Sequence, residues 1–279
     1  MKPEALLEFS QVTFIYGKTG APAISGCTFN IFQGEFVALV GHNSSGKSTI
    51  AKLSNGLLQP DEGRVSVFGL ETSDQKNLQD IRKNIGLVFQ NPDNQTVATL
   101  VEEDVAFGPE NLCLPQEDIR KRVDESLATV GMSAYVKHPV PNLSGGQKQL
   151  VAIAGILALR PKLLILDEAT SLLDPKGRQQ VLAKIIQLNK EGYAVMMITH
   201  KMEEVLLASR VLVLEKGNLI FDGKPDVLFH NNDLMIRSGL QPPEIFELHS
   251  KLEELGVNVP VPQTSSDMVE SICQLKSAI

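Results

Sequence analysis

VALVGHNSSGKSTIAKL, Val37–Leu53, reads as a buried strand, a glycine-rich turn and the start of a helix in direct succession. Within it GHNSSGKST matches G-x-x-x-x-G-K-[ST], with Gly41, Gly46, Lys47 and Ser48 in the fixed places. The spacing has a mechanical reason. Gly41 ends the strand and lets the chain turn, so that the following amides point inward, and Gly46 permits close backbone approach. The helix behind it adds unpaired N–H groups and the positive end of its dipole. Lys47 supplies a mobile charge for β- and γ-phosphates, and the Ser48 hydroxyl can reach Mg²⁺. A strand, this loop and a helix together specify an α/β fold built to hold a nucleotide triphosphate.

Working outward, KLLILDEA, Lys162–Ala169, ends an apolar strand on two acids. A buried parallel strand closing that way sets both carboxylates at the carboxyl edge of the sheet, beside the phosphate loop. Asp167 is expected at Mg²⁺ and Glu168 at the attacking water. Gln90 follows NIGLVF and His200 follows YAVMMIT, two more strand ends. Gln90 is expected to touch Mg²⁺ or the water, and His200 the γ-phosphate. Tyr16, closing VTFIYG, can stack on a purine. A second glycine pair opening a helix, in PNLSGGQKQLVAIAGILA, Pro141–Ala158, makes another anion site on a helix N-terminus.

Composition sets the bounds. With 279 residues, 43% hydrophobic, the chain can bury a large core. Its net charge of −7 argues against non-specific nucleic-acid binding, which needs a basic face. The cysteines, Cys27, Cys113 and Cys273, are widely spaced and odd in number, so neither a disulfide framework nor a zinc site is indicated by them. No apolar run approaches a membrane span and MKPEALLEF has no leader pattern, so a role at a membrane is expected to come through a partner.

Short β-rich runs alternate with helical patterns, which predicts a largely parallel sheet covered by helices. The expected strands are 7–15, 28–31, 36–40, 64–68, 85–89, 163–166, 194–199, 210–214 and 219–221. The block from about 101 to 159 reads as a helical insert, and strands stop after Gly223. Beyond it, Ile245, Leu248, Leu252 and Leu255, and then Met268, Ile272 and Leu275, form two apolar helical stripes parted by VNVPVPQTSS.

LSGGQ, Leu143–Gln147, taken with GHNSSGKST, LLILDEATSLLD and MMITH in that order, closely resembles the ATP-binding subunits of ABC transporters over about 7–228. FQNPDNQ and VEEDVAFGPEN narrow this to the energy-coupling-factor group, and Asn91–Gln95 with the phosphate loop looks most like the first of its two ATPases. The resemblance implies an α/β P-loop NTPase (RecA-like) core with an antiparallel β edge, an inserted α-helical signature subdomain and a small helical C-terminal extension. The implied domains are 1–230, the ATP-binding domain, and 231–279, an extension that helps hold two ATPases together. It also implies an ATPase that energises uptake of vitamins or related micronutrients, lying peripherally on the cytoplasmic face of the bacterial membrane.

Carried onto this sequence, the resemblance assigns ATP binding to Tyr16, to Gly41, His42, Asn43, Ser44, Ser45, Gly46, Lys47, Ser48 and Thr49, and to Gln90. Glu168 and His200 are catalytic, and Ser48, Gln90 and Asp167 hold Mg²⁺. Leu143, Ser144, Gly145, Gly146 and Gln147 form the signature, with Gln147 beginning its helix, and Asp174 belongs to the D-loop. Two subunits of this family face head to tail, each signature closing over the other's ATP, which accounts for two phosphate cradles in one chain. The implied partners are a second homologous ATPase in a heterodimer, a transmembrane coupling protein and a substrate-binding membrane protein, with no nucleic acid.

Two departures stand out. Ser44 replaces a glycine common among relatives, and the loop keeps its shape if φ there stays negative. Leu150 replaces an arginine common three residues after the signature, which removes that arginine's docking role. A soluble ATPase of the same family, not tied to transport, and a cassette whose site only regulates its partner are the rival readings. The first is disfavoured by a single cassette and an acidic balance, the second by the presence of Lys47, Glu168, His200 and an intact signature.

Overall fold

A computed structural model describes residues 5–18, 20–260 and 265–277. Among the described residues ten strands form two sheets: β1 (Leu7–Phe14), β2 (Ile24–Ile31), β3 (Phe36–Gly41), β4 (Glu62–Val67), β5 (Leu70–Glu71), β6 (Ile85–Val88), β7 (Leu163–Asp167), β8 (Ala194–Ile198), β9 (Arg210–Glu215) and β10 (Asn218–Gly223). The larger sheet runs β10-β9-β3-β8-β7-β6, parallel throughout except for β10, which is antiparallel to β9. The smaller, β2-β1-β4-β5, is antiparallel.

The central strands are apolar on both faces because both faces are covered. On β3, Phe36, Ala38 and Val40 enter one core, while Val37 and Leu39 enter the other. The second core is shared with the antiparallel sheet (Phe9, Ile31, Val65) and with Ile50 and Leu53 of α1 (Lys47–Ser54) and Ile81 of α2 (Leu78–Asn84). The first is covered by α3 (Val101–Asn111), α4 (Gln116–Val130), α5 (Gly145–Leu157) and α6 (Pro175–Lys190). Burying one of these large side chains contributes about 1.5–3 kcal/mol, so a polar substitution on β3, β7 or β8 strikes the whole layer.

The helical insert is α3, α4 and α5. Leu150 lies on α5 inside the first core, so its apolar character is used in packing. Among the described residues five more helices follow β8: α7 (Met202–Val205), α8 (Pro225–Phe229), α9 (Asn232–Ser238), α10 (Glu244–Glu254) and α11 (Ser265–Ser277). Met235 and Phe246 are buried in the same core as the sheet. The apolar stripe of the tail does not match its burial. Phe246 and His249 are the buried residues of α10, while Leu248 and Leu255 are exposed. Met268 is buried and Ile272 exposed; the side chain of Leu275 and residues 261–264 lie outside the described residues.

Candidate active site

The sheet order places the expected residues side by side. Along the carboxyl edge, β3 leads into the phosphate loop, its neighbour β8 into His200, β7 into Asp167 and Glu168, and β6 into Gln90. Four successive strand ends thus feed one crevice, as is general for open α/β sheets.

Sterics fix the loop. A Cβ on Gly41 would lie 2.1 Å from the Leu214 carbonyl oxygen, and one on Gly46 2.5 Å from that of Ala23, so neither position admits a side chain. Ser44 has φ +64°, against the expected negative value. The turn itself demands the left-handed region, and serine adopts it at a cost of about 1–2 kcal/mol. The Lys47 ammonium, largely buried, donates to the carbonyls of Gly41 (2.8 Å) and His42 (3.0 Å). Burial pulls its pKa down, opposed by the carboxylates of Glu168 and Asp167. Among the described residues Ser45 Oγ is buried without a hydrogen-bond partner, while Thr49 Oγ1 lies 3.2 Å from the Tyr16 hydroxyl and His42 Nδ1 is 3.3 Å from the Asn43 carbonyl. The Tyr16 ring meets Phe14 edge-on and is half exposed, leaving a surface for stacking.

Ser48 Oγ donates to Asp167 Oδ1 at 3.1 Å. Burial pushes the Asp167 carboxyl above its usual range, and the Ser48 hydrogen bond works against that. A hydroxyl and a buried carboxylate side by side are the hard oxygen donors that Mg²⁺ takes, and a cation there would offset the burial of the acid.

Glu168 sits at φ +51°, a strained conformation for a residue with a side chain. Three bonds hold it there: its N–H donates to Ile198 O (3.0 Å), and its carbonyl accepts from the Ser171 N–H (3.0 Å) and hydroxyl (2.9 Å). The strain aims its carboxylate. Gln90 Nε2 donates to Glu168 Oε2 (3.0 Å) and to Ser171 Oγ (3.1 Å), and His200 Nδ1 is 3.6 Å from the same carboxylate oxygen. Three residues singled out from separate strand ends therefore meet on one atom.

The signature helix starts at Gly145, with Ser144 as its cap; Gln147 is the third helical residue rather than the first. The serine–glutamine pair explains the shift. Ser144 Oγ accepts from the Gln147 N–H (3.3 Å) and Gln147 Oε1 from the Ser144 N–H (2.9 Å), a reciprocal cap that holds Gln147 inside the helix. The Gly145 and Gly146 N–H groups have no intrahelical acceptor, and the Ser144 hydroxyl keeps its own proton to donate. Leu143, just ahead, is buried. Among the described residues no hydrogen bond joins 143–147 to the loop 41–49 of the same chain. Instead a Cβ on Gly146 would lie 2.9 Å from the Gly177 Cα, so α5 and α6 touch backbone to backbone. Asp174 caps α6, accepting from the Gly177 N–H at 3.0 Å.

Three residues escaped the sequence reading. The Glu204 carboxylate, buried, accepts from the hydroxyls of Thr170 (2.7 Å) and Thr199 (2.6 Å) and pairs with Arg178 Nε at 3.2 Å. It thereby ties the residue before His200 to the turn after Glu168 and to α6. Gln149, also buried, reaches Phe89 O at 3.5 Å, and Lys148 pairs with Asp93 at 2.8 Å, joining the signature helix to the segment around Gln90. The one available signal was an acid or amide inside an apolar run, as in KMEEVLL.

The family model described as ABC transporter matches residues 24–171. The energy-coupling factor transporter ATP-binding protein EcfA1 of Clostridium novyi is 47% identical over 278 residues, covering 98% of this chain and 99% of that protein. Among solved structures, cbiO1 from Clostridium perfringens, part of the ABC transporter complex cbiONQ, superposes with TM-score 0.76 at 35% identity, covering 91% of this chain and 98% of that one. The ATP-binding cassette MJ0796, dimeric in a post-hydrolysis state with ADP and Pi, gives 0.71 at 30% identity, over 78% of this chain and 98% of that one.

Proposed function

The chain belongs to the ABC transporter family, as an ATP-binding ATPase subunit of the energy-coupling factor type, and from that premise we propose how its residues share the work of hydrolysis. ATP lies between two cassettes facing head to tail. Amides of Gly41–Thr49 surround the phosphates, Lys47 exchanges its loop carbonyls for β- and γ-phosphate oxygens, and Tyr16 stacks on the adenine. Ser48, Asp167 and Gln90 would hold Mg²⁺, which neutralises charge on the phosphates. Glu168 takes the proton of the attacking water, with Gln90 orienting its carboxylate, and His200 donates to the γ-phosphate. From the other subunit, the Ser144 hydroxyl and the Gly145 and Gly146 amides meet the same γ-phosphate, because one helix N-terminus can face only one side of a triphosphate. Loss of that phosphate lets the subunits part.

The observation that carries this reading is the meeting of Gln90 and His200 on one Glu168 oxygen beside the Lys47–Ser48–Asp167 cluster. The second cassette is a homologous ATPase, giving a heterodimer, and residues 231–279 help hold the pair. A groove of about 530 Å³ between α2 and the insert, lined by Arg82, Gln95, Val97, Phe107 and Ile156, takes the transmembrane coupling protein. Its wall includes Gln95 of the Gln90 segment, so nucleotide state reaches that protein through a two-state element. A substrate-binding membrane protein selects the vitamin or related micronutrient, and the complex sits on the cytoplasmic face of the membrane. Among the described residues no helix is long and apolar enough to cross it.

Glu168→Gln tests the assignment. Hydrolysis should fall about 10²–10⁴-fold while ATP binding persists and ATP-loaded dimers accumulate on a sizing column. Ser144→Arg added to that variant should abolish the dimers without weakening nucleotide binding to its own loop. Near-parental turnover in the first variant, or undiminished dimers in the second, removes the shared-site reading.

A further inference from the structure

The C-terminal extension meets the ATPase domain through a cluster that the hydrolysis site leaves unused. His230 caps the end of α8, and His249 and Glu253 lie one turn apart on α10. One ligand atom from each of the three lies within 4.8 Å of the other two, and the ring nitrogens beside the Glu253 carboxylate are His230 Nε2 and His249 Nδ1. Glu253 Oε2 is 3.6 Å from both ring nitrogens, too long for a hydrogen bond to either.

The ring orientations are what give this cluster meaning. His230 Nδ1 lies 2.8 Å from the Asp226 carbonyl and His249 Nε2 lies 3.0 Å from the Val259 carbonyl. A carbonyl only accepts, so each of those nitrogens carries the proton, and in a neutral ring the lone pair is left on His230 Nε2 and His249 Nδ1. Both lone pairs face Glu253. Backbone carbonyls fixing the tautomer of two histidines, with the free nitrogens turned to a shared point, is how proteins prepare imidazoles for metal. His249 is fully buried and, among the described residues, its Nδ1 has no hydrogen-bond partner, an omission that costs about 1–3 kcal/mol unless something occupies the point it faces. Access is open on the other side, where Asp226 and Asp233 line an adjacent surface cavity with His230 and add negative charge at its mouth.

We propose that His230, His249 and Glu253 form a binding site for a divalent transition-metal ion, zinc above all, that fastens α10 of the C-terminal extension to α8 of the ATPase domain. Two imidazoles and one carboxylate suit zinc in tetrahedral geometry with a solvent molecule in the fourth place. That geometry wants donor atoms about 3.3 Å apart, so the half-exposed His230 and the exposed Glu253 close in on the fixed His249. Mg²⁺, which prefers oxygen donors, is not expected there.

The test uses the full-length chain, stripped with chelator and titrated with Zn²⁺ under excess Mg²⁺, reading metal bound per chain and the melting midpoint. His249 is left alone, since it is buried; the exposed ligands are changed instead, as His230→Asn and Glu253→Gln, with Cys113→Ser controlling for thiol binding. One zinc per chain, a raised melting midpoint, and at least a tenfold loss of affinity in each of the two ligand variants but not in Cys113→Ser is the expected result. No zinc retained, which would leave a plain histidine–glutamate contact, or affinity that survives either ligand substitution, overturns the site. None of these readouts depends on ATP hydrolysis.

Discussion

Two of the candidate site residues, Ser44 and Glu168, carry backbone strain, and they carry it for different reasons. Glu168 is held left-handed by three hydrogen bonds, and its carboxylate is thereby presented to Gln90 and His200. Ser44 is left-handed because the loop turns there, a position where glycine is at no disadvantage. Ser44→Gly should therefore stabilise the chain. Relief of about 1–2 kcal/mol less a glycine entropy cost of about 0.5–1 kcal/mol leaves a gain of up to about 1.5 kcal/mol, readable in urea unfolding. A loss of stability would show that the serine side chain holds the loop by a contact of its own. The expected negative φ failed here because sequence names the residue but not the sense of the turn.

At the scale of elements, the apolar runs of β3, β6, β7 and β8 could be read directly, since strands buried on both faces admit little else. So could the loop, the acids and the existence of the signature helix, though not its reciprocal cap, which moves its start from the expected Gln147 to Gly145. What stayed hidden was whatever depends on distant partners. The two-residue strand β5 exists only as a pairing with β4, and β2 begins four residues before the expected Thr28, with irregular register against β1. Glu204 was invisible for the same reason: Arg178 of α6, Thr170 from the turn after β7 and Thr199 just past β8 converge on it. Its carboxylate braces the end of β8, so it is a positioning residue for His200. Glu204→Gln should cost about 1–3 kcal/mol of stability and slow hydrolysis with little change in ATP affinity. Turnover equal to the parent at a temperature where both are folded would confine Glu204 to a structural part.

For the molecule as a whole, the tail is joined to the ATPase domain yet keeps an outward apolar edge. Met235 and Phe246 anchor it, and a Cβ on Gly239 would come within 3.2 Å of the His42 ring, so the extension also borders the phosphate loop. The expected stripe is turned about one residue away from the buried face, which leaves Leu248 and Leu255 outside; Leu255 is 78% exposed. Leu255→Lys should leave stability within about 0.5 kcal/mol but weaken nucleotide-free association of the two ATPases, measured by analytical ultracentrifugation. Unchanged association would assign that edge to solvent.

The bare contact between Gly146 and Gly177 has a mechanical corollary. With no side chains to act as cushions, the front ends of α5 and α6 behave as a single bearing. In the head-to-tail arrangement proposed above, a nudge given to the serine–glycine turn by a neighbour's nucleotide should pass to α6 and the turn around Asp174 that caps it. Any bulk inserted at either glycine would act as a shim, parting the two helices and detuning that relay while the pocket beside Lys47 stayed intact.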